Sequence, residues 1–215
     1  MNSRLCICFA ALLAFLALAM AACHRAPSYA ALPPGSVVLA FGDSVTFGTG
    51  AGGEENYPSQ LASISGWQVA NHGVPGDTAE GAKARIAAAL DDTRPKLVIV
   101  EIGGNDFLRR HPEAQIKEDI RGILKTVKQA GVPVALVATP RFSLLGAVIG
   151  ALPDAALYAE LAKEEGVLLV PDVFAEVLSD PSLKSDQIHP NAAGYRKLAE
   201  GIAASLVKSG LLAKR

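Results

Sequence analysis

From Val37 onward, short β-branched runs alternate with longer amphipathic stretches, and this alternation constrains the fold more than any other feature of the chain. The runs SVVLAF, WQVAN, KLVIVEI, VPVALVA and VLLVP are nearly continuous in apolar residues. Strands of that kind are buried on both faces, as in a parallel sheet with helices above and below it. The five runs predict a three-layer α/β/α sandwich of flavodoxin-like type, with one domain over residues 37–215. Helices are expected over Pro58–Ile64, Thr78–Leu90, Glu113–Ala130, Asp154–Glu165 and Asn191–Lys208. Asp77-Thr78-Ala79-Glu80 resembles a capping box, and Pro112 and Pro190 sit where a missing N–H costs nothing. Gly131 and Gly166 are placed as C-caps before the next strands.

The segment ahead of this pattern is of a different kind. Residues 1–22 carry Arg4 and then an uncharged stretch, LCICFAALLAFLALAMAA, which has the layout of a signal peptide. Cys6 and Cys8 lie inside it, so Cys23 is the only cysteine of a processed chain and a disulfide-stapled scaffold is excluded. The tail Ala-Met-Ala-Ala-Cys23 resembles a bacterial lipobox, although Met20 stands where such sequences usually have Leu. That resemblance implies lipidation of Cys23, an exported protein facing the periplasm, and the outer membrane where there is one, because His24 is not the Asp that favours inner-membrane retention. The competing expectation is ordinary cleavage after Ala-x-Ala, which leaves a soluble periplasmic or secreted protein. Residues 23–36, with three prolines and no periodicity, read as a tether. The net charge of −1, with both signs scattered, excludes the clustered basic face that a nucleic-acid partner needs.

In a doubly wound sheet, ligands bind outside the carboxyl ends of the strands. Those loops hold the unusual residues of this chain. Ser44 follows the first strand within Gly42-Asp43-Ser44, and alone it reads better as a turn serine capping a helix than as a nucleophile. The glycine-rich FGDSVTFGTG lacks the Gly-Lys-Ser/Thr ending of a phosphate loop. Asp186 and His189 stand three residues apart before the last helix, so one short turn can carry both. A carboxylate there fixes the imidazole tautomer and leaves the other ring nitrogen free to take a proton from Ser44. Gly76 after the second strand and Asn105 after the third offer a backbone N–H and a side-chain amide to a developing oxyanion. Each alone also suits a tight turn or a helix cap.

Four blocks, Gly42-Asp43-Ser44, Gly76 in VPGDT, Gly104-Asn105-Asp106 and Asp186-Gln187-Ile188-His189-Pro190, occur in this order at strand ends. The chain resembles the SGNH hydrolases of the GDSL esterase/lipase superfamily over nearly its whole mature length. VPGDTAEGAKARI, VIVEIGGNDFLR and DQIHPN are similar to the bacterial thioesterase/arylesterase/lysophospholipase group. The resemblance implies Ser44 as nucleophile, His189 as base and then acid, and Asp186 as its orienting partner. It also implies an oxyanion hole from the Ser44 and Gly76 N–H groups and the Asn105 amide. Val45 departs from the Leu of the superfamily's name, a conservative change. The expected activity is serine esterase chemistry without a cofactor, on small acyl-ester or lipid substrates, with a membrane surface as partner through the anchor. A carbohydrate O-deacetylase of envelope polysaccharide would use the same triad, and a catalytically silent binding module is the reading from a different class.

The loop RFSLLGAVIGALPD after the fourth strand is more apolar than a solvent-facing connection needs. Phe142, Leu144, Leu145, Val148, Ile149 and Leu152 suit either an acyl-chain groove or a short helix packed on the core. Phe107 and Leu108 are further candidates for the acyl wall. Arg109 and Arg110 suit an anionic head group or a solvated basic pair. His72 and His111 have no acidic or cysteine partner at metal-ligand spacing, so no metal site is expected.

Overall fold

The five apolar runs form a single parallel sheet in the order β2-β1-β3-β4-β5 in the computed structural model, which describes residues 29–141 and 152–214. The strands are β1 (Val37–Gly42), β2 (Gln68–Gly73), β3 (Leu97–Glu101), β4 (Val134–Val137) and β5 (Leu168–Val170). After β1 come α1 (Ser44–Phe47) and α2 (Tyr57–Ser65), and after β2 comes α3 (Ala79–Thr93). After β3 come α4 (Gly104–Leu108) and α5 (Glu113–Gln129), and after β4 comes α6 (Ala156–Glu165). Beyond β5 lie α7 (Val173–Ser179), a 3-10 turn at Pro181–Leu183 and α8 (Ala192–Ser209). Because β1 pairs with both β2 and β3, the chain winds in opposite directions on either side of it. A crevice opens at the carboxyl end of β1, where such sheets bind ligands.

Alternation along the central strands divides the core between the two faces. Leu39, Phe41, Val98, Val100 and Leu136 pack under α3, α5 and α6, whereas Val38, Ala40, Leu97, Ile99, Ala135 and Val137 pack under α2, α7 and α8. Every residue from Val38 to Phe41 is fully buried, which is why the sequence shows a continuous apolar run there. The edge strand β2 is only partly covered. Residues 29–36, just ahead of β1, lie along the body: the Tyr29 N–H donates to the Ser209 carbonyl at 3.2 Å and the Leu32 N–H to the Leu211 carbonyl at 2.9 Å.

Local signals explain most boundaries, with adjustments. The start of α3 is capped by Thr78, whose hydroxyl accepts from the Gly81 N–H at 3.3 Å, so the capping residue is one later than the Asp77 of a capping box. Asp77 is drawn away by Arg85, whose Nε donates to its carboxylate at 2.8 Å. Gly166 ends α6 in the left-handed region as expected, while Gly131 stands one place beyond the cap Ala130 of α5. Helices α1, α4 and α7 did not stand out in the sequence, being four, five and seven residues long. Segments of one or two turns carry too few repeats for periodicity to register.

At Gly42 there is no room for a side chain between β1 and the end of β3. A Cβ there would lie 1.9 Å from the Glu101 carbonyl oxygen and 2.3 Å from the Thr46 hydroxyl. Gly42→Ala is therefore expected to lower stability by about 1–3 kcal/mol through overpacking, read as a lower urea midpoint at unchanged m-value. Gly53→Ala, at a position with open space around it, is expected to leave the midpoint in place.

Candidate active site

The loops at the carboxyl ends of β1, β2 and β3 meet the turn before α8 at the crevice. Ser44 opens α1 immediately after β1, and the preceding residue, Asp43, caps that turn by accepting the Val45 N–H at 3.0 Å. The Ser44 hydroxyl is 3.0 Å from His189 Nε2, and His189 Nδ1 is 2.7 Å from Asp186 Oδ2. The same turn fixes the acid: Asp186 Oδ1 accepts from the Ile188 and His189 N–H groups, both at 2.8 Å. Partial burial pushes the Asp186 carboxyl up, but the bonds from the His189 ring and the two backbone N–H groups outweigh it and hold the group below its ordinary value. Asp186 is thus an anion facing the imidazole, and Nδ1 is the protonated ring nitrogen. Nε2 is then the free base beside the hydroxyl.

Two further loops complete the surroundings of Ser44. Gly76 adopts a φ of +81°, and its carbonyl accepts from Arg109 Nη2 at 2.9 Å. Among the described residues, the N–H groups of Ser44 and Gly76 have no acceptor. Asn105 Nδ2 donates to Asp43 Oδ2 at 3.2 Å and to the Asp77 carbonyl at 2.9 Å, so its amide bridges the loops after β1 and β2. The sequence-derived candidates Ser44, Gly76, Asn105, Asp186 and His189 therefore gather from four separate loops.

The pocket beside Ser44 is lined by Leu108, Pro140, Phe174, Leu178 and Ile188, with Glu101 and Thr139 also on its wall. Leu108 thus faces the pocket, but Phe107 does not. One residue apart on a helix means a turn of about 100°, which sends Phe107 against the core under α3 and α5. Leu152 is buried in the opposite core, while Phe142, Leu144, Leu145, Val148 and Ile149 lie outside the described residues. His111 does have an acidic neighbour, Asp106 Oδ1 at 3.1 Å from Nδ1, while Asp106 Oδ2 accepts the Ala79 N–H at 2.9 Å at the start of α3. The pocket residues Phe174, Leu178 and Ile188 gave no sequence signal beyond ordinary hydrophobicity.

Arg85 also escaped the sequence reading. Its guanidinium lies 4.0 Å above the Phe41 ring and donates to the His72 carbonyl at 2.9 Å, the Gly42 carbonyl at 2.7 Å and Asp77. It ties the Gly76 loop to the end of β1. The only hint was an arginine in the small-residue helix GAKARIAAAL.

The sheet order and a serine–imidazole pair at its switch point define the class: a serine hydrolase of SGNH type. The chain belongs to the GDSL-like Lipase/Acylhydrolase family, whose model matches residues 40–197. It is similar to Thioesterase 1/protease 1/lysophospholipase L1 of Escherichia coli (strain K12), 33% identical over 174 residues that cover 79% of this chain and 82% of the relative. The Arylesterase of Vibrio mimicus is 29% identical over 180 residues, covering 80% of this chain and 88% of that protein. The crystal structure of TesA superposes with a TM-score of 0.70 at 26% identity, over 80% of this chain and 99% of the other. The protein is accordingly an enzyme, a carboxylic ester hydrolase.

Arg85→Met leaves the Gly42 and His72 carbonyls without this donor. It is expected to lower unfolding free energy by about 1–3 kcal/mol in urea titrations, while Arg196→Met, at an exposed pair with Glu200, changes it by less than about 0.5 kcal/mol.

Proposed function

We propose that the enzyme cleaves acyl esters in two steps through Ser44, His189 and Asp186. The observation that carries this reading is the unbroken chain of contacts from Ser44 Oγ through both nitrogens of His189 to Asp186, at 3.0 and 2.7 Å. Ser44 attacks the carbonyl carbon as Nε2 takes its proton, giving a tetrahedral oxyanion and an imidazolium stabilised by the Asp186 anion. The unengaged N–H groups of Ser44 and Gly76 are the donors for that oxyanion; both Asn105 N–H groups are already engaged, and the longer bond, 3.2 Å to Asp43, is the one its amide would share with the oxyanion. Collapse expels the alcohol, which takes the proton back from Nε2, and leaves an acyl-enzyme. Water, deprotonated by the same nitrogen, releases the acid and restores Ser44.

The apolar wall of Leu108, Pro140, Phe174, Leu178 and Ile188 supports an acyl group as the part bound beside Ser44. Of the exposed large hydrophobics among the described residues, Leu108 is on that wall, while Phe47 and Val74 follow β1 and β2. These features favour arylesters and lysophospholipids as substrates, with thioesters accessible to the same chemistry. They are less suited to the acetylated sugar of a polysaccharide, whose polar rings gain little from an apolar rim. The leader and the Ala-Met-Ala-Ala-Cys23 sequence support export and anchoring through an acylated Cys23. Labelling of cells with a radioactive fatty acid is expected to mark the wild-type protein and not Cys23→Ser.

Ser44→Ala is expected to abolish hydrolysis of p-nitrophenyl acyl esters with an unchanged circular-dichroism spectrum, and full turnover would refute the mechanism. Asn105→Ala is expected to lower kcat by about a hundredfold, the typical cost of one oxyanion donor. In an acetyl-to-palmitoyl series of aryl esters and thioesters, activity is expected to extend to medium chains. A sharp acetyl optimum would select the deacetylase instead.

A further inference from the structure

Beneath the Ser44 turn lie two acidic side chains that the hydrolytic steps do not use. Glu101 ends β3 opposite Gly42, and its alternation with Ile99 puts its side chain on the α2/α8 side of the sheet. It is fully buried and reaches the pocket wall. Its Oε2 accepts from the Thr46 hydroxyl at 3.2 Å, and its Oε1 has no partner among the described residues. Its carboxyl group adjoins that of Asp43, which is also buried. The other groups facing the pair are the phenols of Tyr57, Tyr158 and Tyr195, with His189 and Asp77 facing Asp43. Among the described residues neither acid has a lysine or arginine partner. Arg85, committed to Asp77 and the Gly42 and His72 carbonyls, packs on Phe41 on the other face of the sheet.

Two adjacent carboxyl groups in a buried site cannot both ionise at modest cost, and a single shared proton removes the conflict. Their surroundings decide where it resides. Asp43 accepts N–H donors on both oxygens, from Val45 at 3.0 Å on Oδ1 and Asn105 at 3.2 Å on Oδ2, and faces His189, while Glu101 is met only by the hydroxyl and N–H of Thr46 and keeps Oε1 without a partner. Donors on both oxygens and the facing imidazole favour the charged form of Asp43, whereas the open Oε1 of Glu101 is free to carry the proton, so Asp43 is the anion.

We propose that Glu101 is a neutral acid in the working enzyme, a positioning residue whose Oε1–H donates to Asp43 and so holds the Asp43 carboxylate against Asn105 and the Ser44 turn. The orphaned Oε1 then has a partner. Burial, and next the neighbouring Asp43 charge, push Glu101 well above the carboxylate range, while burial also raises Asp43, to about 6. Loss of the shared proton would set two anions against each other beneath the nucleophile. The activity part of this inference rests on the mechanism proposed above, and the ionisation part does not.

Glu101→Gln and Glu101→Leu in the full chain test it, by thermal melts from roughly pH 5 to pH 9 and by kcat and KM on p-nitrophenyl butyrate. A group with a raised folded-state pKa contributes stability that is complete below its unfolded value and declines as pH rises through the folded one. The Glu101→Gln amide retains a donor but has no proton to lose. Its Tm is expected to gain on the wild type progressively as pH rises. Its kcat is expected to stay within about threefold of wild type, and that of Glu101→Leu to fall about tenfold or more at similar KM. A Tm difference that does not vary with pH would overturn the neutral-acid assignment, whatever the activity. A folded Glu101→Gln as slow as Glu101→Leu would overturn the positioning role. Should Glu101→Leu fail to fold, the pH dependence and kcat of Glu101→Gln still decide both points.

Discussion

The carboxylate of Asp43, sealed under the end of β1, is the point through which the parts around Ser44 are joined. It caps the turn that begins with Ser44 and receives the amide of Asn105 from the loop after β3, which in turn reaches the Asp77 carbonyl after β2. A buried anion without hydrogen bonds would be driven to take up a proton, so it holds its donors firmly in place. The loops that must meet at Ser44 thereby constrain one another, and the site has little freedom to relax away from the geometry needed for acyl transfer.

The sheet makes that convergence possible. Because β1 sits between β2 and β3, the first residues after each of three adjacent strands emerge side by side. Gly42 lets β1 approach β3 closely, and Arg85 binds the emerging β2 loop to the same strand end. His189 and Asp186 are supplied from far along the chain, on a tight turn whose backbone N–H groups themselves hold the acid. In the proposed mechanism, charge developing on the oxyanion and on the imidazole would meet dipoles already in place.

Much of this was legible in the residues, because strands buried on both faces leave continuous apolar runs and chemistry concentrates in the loops after them. Ser44, Gly76, Asn105, Asp186 and His189 stood out as polar or glycine residues in those loops. Arg85 and Glu101 did not, for opposite reasons. Arg85 lies on a helix, where an arginine is ordinarily a solvated side chain, and only the tertiary fold brings its guanidinium over Phe41. Glu101 carried a signal that periodicity passes over: the one charge within LVIVEI, where every neighbour is buried. Phe107 and Leu108 could not be told apart in sequence, since which of two adjacent helical residues faces a pocket depends on how the helix docks.

The central claim is that Ser44 carries the acyl group between the two steps. Treating the enzyme with a phosphonate ester, a mimic of the tetrahedral intermediate that traps an activated serine, tests this by intact mass and peptide mapping. The account predicts one adduct per chain, on Ser44, formed as esterase activity disappears and absent from His189→Ala. An active enzyme that takes up no label on Ser44, or one inactivated by modification at another residue, would contradict it.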